Sequence, residues 1–455
     1  MTTNEIQRLY NERLGRYQAA IALEPTDRVP TAFATTYFAE KQSGYTYQQI
    51  MYDFQIWEDM EVEFAKKYPE VDIFRTNLAW APMWDITNNQ LWRVPGRDIA
   101  AKSLQQFNEQ EWMKADEYRR FIDDPIGYRM DVYLPRIFGE FKERGSIRSY
   151  MAFLKAGMAG SIFGAAAAKR IERLKNEVGI PQGTVGGFTA PFDVLSDAYR
   201  GFNGITRDMF RQPDNVLEAC EHILEQQLST AWRRADPLKR FPIFVATHKP
   251  CFLSPKQFET FYWPTFYKGI MKLIEAGWKF RIFLEGDWSP HWHFMAEFPK
   301  GTVICDIDNE ADIFDAKEKF GHKQCITGGI PTDMLILGTP DDIRERVKLL
   351  CETVGKDGGW IPNGGGHIPE DTKPENFRAL LDAVMEYGKY SDGPAPEPKI
   401  GEPGTNGVEF PEPGIVTPWE EIKKENNWKI PGDEKLIKDW WEQLDSMAYG
   451  WVCSQ

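Results

Sequence analysis

The stretch Ala246–Pro264, ATHKPCFLSPKQFETFYWP, decides the reading of this chain when set beside two later ones, FLEGDWSP at 283–290 and PNGGGHIPEDTKPEN at 362–376. Each reads as a short apolar strand running into a polar or Gly-rich loop, with a helix to follow. Polar groups repeated at the C-terminal ends of successive parallel strands are how a (β/α)8 barrel builds an active site. The pattern predicts an enzyme whose chemistry lies where His248, Glu285 and His367 converge.

Working outward, the same unit recurs. FPIFVATHK (241–249) is an apolar strand, and Ser254 and Pro255 are the N-cap and first residue of the helix after it. FRIFLEGD leads to Ser289-Pro290 by the same logic; TVICDID, CITGGIP and GGWIPNGG each precede a helix-period segment. Upstream, TDRVPTAFATTYFAE (26–40), VDIFRTNLAWAPMWDI (71–86) and GTVGGFTAPFDVLSDAYRG (183–201) read as strand and loop, and 45–69 as one long amphipathic helix. The run predicts an α/β fold, a (β/α)8 TIM barrel over 1–390. An N-terminal helical arm (4–25) and a Trp-rich insertion at about 88–150 are added to it. Residues 391–455 form a Pro/Gly-rich extension with short helices, docked on the barrel or on a neighbouring subunit.

Composition narrows the function. The 455 residues carry 42% hydrophobic content and a net charge of -14, ample for a large core and opposed to nucleic-acid binding. Six scattered Cys without CxxC pairs fit a reducing, cytoplasmic setting rather than a disulfide framework. No signal peptide and no membrane span are expected, and AGMAGSIFGAAAAKR (156–170) reads as a buried or tightly packed helix. Nucleotide-binding glycine motifs are missing.

DRVP, GGFTAPFDVLSDAYRG, LSPKQFETFYWP, the glycine turn at Glu285, GGIPTDMLILGTPDDI and IPEDTKPENF together resemble the uroporphyrinogen decarboxylase superfamily, from about Asp27 to Tyr390. Within it the chain looks most like the corrinoid-dependent methyltransferases, in the branch of aryl methyl ether O-demethylases. The decarboxylases hold substrate carboxylates with an Arg-rich N-terminal loop; TAFATTYFAEKQSGYT here has no Arg. The thiol-methylating branch binds zinc through His-x-Cys and a later Cys. Phe283-Leu284-Glu285 and GGGHIP replace those signals. The resemblance implies demethylation of a small methoxylated aromatic, with the methyl passed to cobalamin on a partner corrinoid protein. No cobalt-ligating D-x-H-x-x-G occurs in this chain. A homodimer is a further family expectation.

An alkyl ether is a poor electrophile, so its oxygen must be protonated or polarised as the C–O bond breaks. Glu285, His248 and His367 are the candidate acids. With Cys251, which forms H-x-x-C with His248, they are also candidate zinc ligands. Tyr37, Trp80, Trp84, Phe192 and Asp306 are candidates to line the substrate slot, with either Asp306 or Asp308 facing the mouth. Asp287 reads as a cap, and His291 and His293, two apart on a helix, do not share a face. Rival readings are thiol methylation, a lyase or decarboxylase anchoring a small acid on Arg75, Arg93 or Arg97, and a barrel scaffold without chemistry.

Overall fold

A computed structural model describes residues 2–35, 37–76 and 79–453. Its core is a parallel sheet. Strands β1 (Ala32–Ala34) and β2 (Ile73–Arg75) pair in parallel, as do β5 (Ile243–Thr247), β6 (Phe280–Leu284), β7 (Val303–Ile307), β8 (Cys325–Gly329) and β9 (Trp360–Asn363) in that order. Residues 183–188 run beside β5, with Gly187 bridging Phe244 in parallel and the Phe188 N–H on the Phe244 carbonyl at 3.0 Å. At the far edge β1 lies beside β9, and the Ile368 N–H reaches the Ala34 carbonyl at 2.7 Å. The parallel α/β core is as the sequence predicts. The strand cores Ile243, Val245, Phe280, Ile282, Val303, Cys305 and Ile326 are wholly buried, as expected for strands covered on both faces.

The N-terminal arm is the helix Thr3–Ile21. It is tied under the sheet by ions: Arg16 pairs with Asp27 at 2.7 Å and Asp72 at 2.6 Å, and Arg28 with Asp72 at 2.8 Å. This is what the DRVP segment does. The helix expected over 45–69 is broken in two, Tyr47–Tyr52 and Phe54–Lys67. Asp53 takes an extended conformation and caps the second piece by accepting from the Gln55 and Ile56 N–H groups. The helix after β5 starts at the Ser254 capping box, but turns as a π-helix over Phe258–Tyr262 before continuing as Trp263–Glu275. The widened turn accommodates Pro264, whose ring nitrogen cannot donate.

Between β2 and residue 183 the chain makes a long excursion. It contains the antiparallel pair β3 (Trp92–Arg93) and β4 (Gln106–Phe107), short helices, and the helix Ile147–Val178. The expectation that 156–170 is buried is corrected here. By length and composition this is a helix able to cross a membrane, yet only 17% of its most apolar stretch is buried. Leu154, Met158 and Ile162 are all more than half exposed. Its C-terminal half is held to the Phe54–Lys67 helix by Arg170–Glu61 and Arg173–Asp59, each at 2.7 Å. Alanine and glycine allow close packing, but they do not dictate it.

The extension docks on its own chain. A Cβ at Gly15 would strike the Pro396 carbonyl, so the tail crosses the arm where only glycine leaves room. Gln18 and Lys399 exchange hydrogen bonds, Phe410 stacks on Trp232, and Trp451 from the helix Glu434–Cys453 meets Phe153 edge-on. Cys220, Cys251, Cys305, Cys325 and Cys351 are all unpaired.

Candidate active site at the C-terminal strand ends

His248 and Glu285 are the first residues past β5 and β6, whose ends are in register through Thr247 and Leu284. That register brings their side chains together: His248 Nε2 lies 3.9 Å from Glu285 Oε2. On its other side His248 Nδ1 donates to Asp197 Oδ2 at 2.5 Å. Lys249 meets the same carboxylate at 2.5 Å and faces Glu109 at 3.8 Å. Asp193, one helical turn before Asp197, is fully buried beneath them and accepts from the Tyr262 hydroxyl at 2.8 Å and from the backbone N–H groups of His248 and Lys249.

The electrostatics follow from this packing. The hydrogen bond that His248 donates to Asp197 holds the His248 pKa at about 9, against the opposing effect of burial. Burial works against charge on Asp197, but His248 and Lys249 outweigh it and keep it below its ordinary value. Burial pushes Asp193 up to about 7 and raises Glu285. The set is therefore an imidazolium held by an ionised aspartate, facing a carboxylate with enhanced proton affinity. Asp193 and Asp197 were not singled out in the sequence. Their four-residue spacing puts them on one helix face, but nothing local says that this face meets the end of β5, some fifty residues later.

The other expected residues fall in several places. His367 lies on the loop after β9, near Asp306, Asp308 and Arg75, and partial desolvation of its ring lowers its pKa. Asp308 joins the two regions, since it takes the Gly286 N–H at 2.8 Å. Asp306 faces inward and pairs with Arg281 at 2.6 Å, with Asn363 also donating to it. Phe192 is closed in the core against Tyr262, and Tyr37 packs edge-on against Tyr47. Tyr37 has a φ of 69°, an uncommon backbone state for a non-glycine residue. Trp80 and Trp84 wall a cavity of about 260 Å³ with Phe138, Phe163 and Trp451, and His248, Glu285 and His367 are not among its walls. Asp287 caps Ser289, and His291 stacks on Phe258 at 4.0 Å.

A zinc site from His248, Cys251, Glu285 and His367 does not fit this arrangement. Among the described residues no group of three or more His, Cys, Asp or Glu gathers to hold a metal ion. His248 Nδ1 is engaged by Asp197, and its Nε2 faces Glu285 at 3.9 Å. Cys251 is tucked under the Gly286 turn, where a Cβ would stand 2.8 Å from its sulfur, and burial keeps its thiol pKa at about 11. No step is derived through zinc.

Residues 164–387 match the family model described as Uroporphyrinogen decarboxylase (URO-D), a little under half of the chain. The uroporphyrinogen decarboxylase of Pseudoalteromonas translucida is 36% identical over 91 residues, covering 20% of this chain and 25% of that protein. That of Psychromonas ingrahamii is 29% identical over 137 residues, covering 30% and 38%. The chain spans about a quarter of the length of the first curated relatives it matches. A methyltransferase from Methanosarcina mazei shares the fold at a TM-score of 0.57 and 17% identity, covering 82% of this chain and 98% of that one. The family match supports a uroporphyrinogen decarboxylase-like segment over residues 164–387, and the structural likeness shows the shared fold.

Proposed function

We propose that this chain is a cytoplasmic methyltransferase that demethylates a small methoxylated aromatic and passes the methyl group to a corrinoid carried on a separate protein. In this reading the eight parallel segments close as a (β/α)8 barrel, with the site at its C-terminal mouth. The observation that carries the proposal is the His248–Asp197 pair, which keeps an imidazolium at a strand end beside Glu285. The methyltransferase with the same fold supports it.

The corrinoid supplies the nucleophile that accepts the methyl group. The chain's own residues handle the proton. His248 gives the Nε2 proton to the ether oxygen as the C–O bond breaks, so a neutral phenol leaves instead of a phenolate. Asp197 fixes the ring and stabilises its charged form, as a buried carboxylate does behind a catalytic histidine. Glu285 faces Nε2 and, with its raised proton affinity, orients the donor and relays a proton from solvent to it for the next turnover. Lys249 keeps Asp197 ionised throughout.

The test is an anaerobic mixture of the protein, reduced cob(I)alamin and a panel of methoxyarenes, followed by the corrinoid's visible spectrum and by phenol release. Substrate-dependent methylation of the corrinoid with release of one phenol per methyl is expected. No transfer, either to free cobalamin or to a corrinoid protein, contradicts the proposal. A second reading, decarboxylation of a small acid, is favoured by the matched family description and by Arg75, which has no ion-pair partner among the described residues. Release of carbon dioxide without methyl transfer would select it.

A further inference from the structure

A larger cavity, of about 560 Å³, lies behind the helix that carries the active-site acids, and His248, Asp197 and Glu285 are not among its walls. Val194 and Ala198 form one side of it. They follow Asp193 and Asp197 by one residue each, on the helix Pro191–Val194 and its π-helical continuation Leu195–Arg200, about a quarter turn round from the acids. Ile223 and Ala231, buried on the helix Pro213–Arg234, form another side. The π-helix Arg129–Tyr133 adds its two end residues. Thr230, Arg234 and Gly450 line both this cavity and the groove beside the helix Glu434–Cys453, and so mark the opening between them.

The polar groups of this space are unusual for so acidic a chain. Arg129 donates Nε to the Tyr199 hydroxyl at 2.8 Å and a terminal N–H to Gln226 Oε1 at 2.7 Å, both neutral acceptors. Tyr133 is one turn on from Arg129, with its ring 4.5 Å from that of Tyr199. It is wholly buried, and its hydroxyl has no hydrogen-bond partner among the described residues. A hydroxyl removed from water without a partner is costly, so this one is a donor awaiting an acceptor. The net charge of the chain is -14, yet the walls carry two arginines and no Asp or Glu. Arg234 has no ion-pair partner among the described residues. The acids of the outer groove are each matched: Glu412 to Arg233, Asp439 to Lys435 and Glu442 to Lys438. The interior of the cavity is therefore a positive hole with apolar sides.

We propose that this cavity is a second ligand site, for a small organic monocarboxylate with an apolar body. The Tyr133 hydroxyl donates to the carboxylate beside Arg129, and the body lies along Val194, Ala198, Ile223 and Ala231. The volume is in the range of small-molecule sites, which are mostly apolar with a few placed polar groups. An O–H bond to an ionised acceptor is stronger than one to a neutral group, so a carboxylate meets the Tyr133 hydroxyl better than an amide does. The apolar sides give nothing to a bare inorganic anion. The ligand enters past Gly450. A Cβ there would stand 3.5 Å from Thr230 Cγ2, an ordinary contact, so a longer side chain fits on the helix and reaches into the opening.

Calorimetric titration with 2-naphthoate, 2-naphthamide and inorganic phosphate tests this on the whole chain and its Tyr133→Phe, Gly450→Leu and His248→Gln variants. No readout depends on methyl transfer. The naphthoate is expected to bind the parent and His248→Gln alike. Tyr133→Phe should weaken it roughly tenfold to hundredfold, the loss of one hydrogen bond to a charged group, and Gly450→Leu should weaken it at least as much by filling the opening. The amide should bind the parent at least tenfold more weakly than the acid, and phosphate should not compete. Tyr133→Phe should unfold at the same temperature as the parent or a higher one, because it removes an unpaired buried hydroxyl; Gly450→Leu should do so too, because leucine favours a helix over glycine. The proposal is overturned if no naphthoate binds, if acid and amide bind alike, or if phosphate displaces the acid. It is also overturned if binding is lost in His248→Gln and kept in the other two variants, which would place the ligand at the strand ends. A lower unfolding temperature for Tyr133→Phe would make its hydroxyl a structural bond and contradict the site as well.

Discussion

A histidine at the end of a strand is an ordinary residue until its partners are known, and here Asp197 decides what His248 can do. The pair raises the His248 pKa to about 9, above the unperturbed value near ~6.5. A raised value means that the charged form is favoured in the folded protein. The stability this contributes is full below ~6.5 and is lost as pH rises through about 9. An acid role carries the same sign: the methyl-transfer rate should hold up to about pH 9 and then fall. Asp197→Asn should move that falling limb down toward ~6.5, which a pH–rate profile would read. Of this cluster, His248 and Glu285 are legible in the sequence, because an apolar run ending in a polar residue and a glycine turn is a local signal. Asp193, Asp197 and Lys249 are not, because their roles come from a contact between segments some fifty residues apart.

The elements carry their own chemistry inside the sheet. Arg281 and Asp306 stand on adjacent strands, both almost fully buried, and each makes the other tolerable. Arg281→Met removes the ion-pair partner of Asp306 and leaves it the Asn363 hydrogen bond, at a cost of about 3 kcal/mol, whereas Arg281→Leu combined with Asp306→Leu should recover most of that loss. Chemical denaturation of the three proteins measures the difference. The strand and helix order is readable because the hydrophobic period and the cap at Ser254 agree with each other. The break at Asp53 and the π-turn before Pro264 are not. An aspartate inside an amphipathic run reads as solvated surface until its side chain is seen to take two N–H groups. Asp306 shows the limit from the other side: period two places it inward, but only the fold shows that it points to a buried arginine instead of the mouth.

On the scale of the whole molecule, the extension from residue 391 behaves as part of the body. Its contacts with Gly15, Gln18, Trp232 and Phe153 reach the arm, the Pro213–Arg234 helix and the long exposed helix. Removing residues 391–455 should lower the thermal midpoint by roughly 5 °C or more, because it uncovers Trp232 and leaves Gln18 without its partner. An unchanged midpoint would make the tail a passive appendage. The larger claim is that the fold brings Asp197, His248 and Glu285, from three separate strand–loop–helix units, to one proton-transfer point. The dependence of single-turnover demethylation on the acidity of the departing phenol tests it most directly. With His248 donating a proton, the parent should respond only weakly to phenol acidity. His248→Gln should become steeply dependent on it and lose about 10²–10⁴-fold on the least acidic phenols. Equal slopes in the two proteins would show that His248 does not protonate the leaving oxygen.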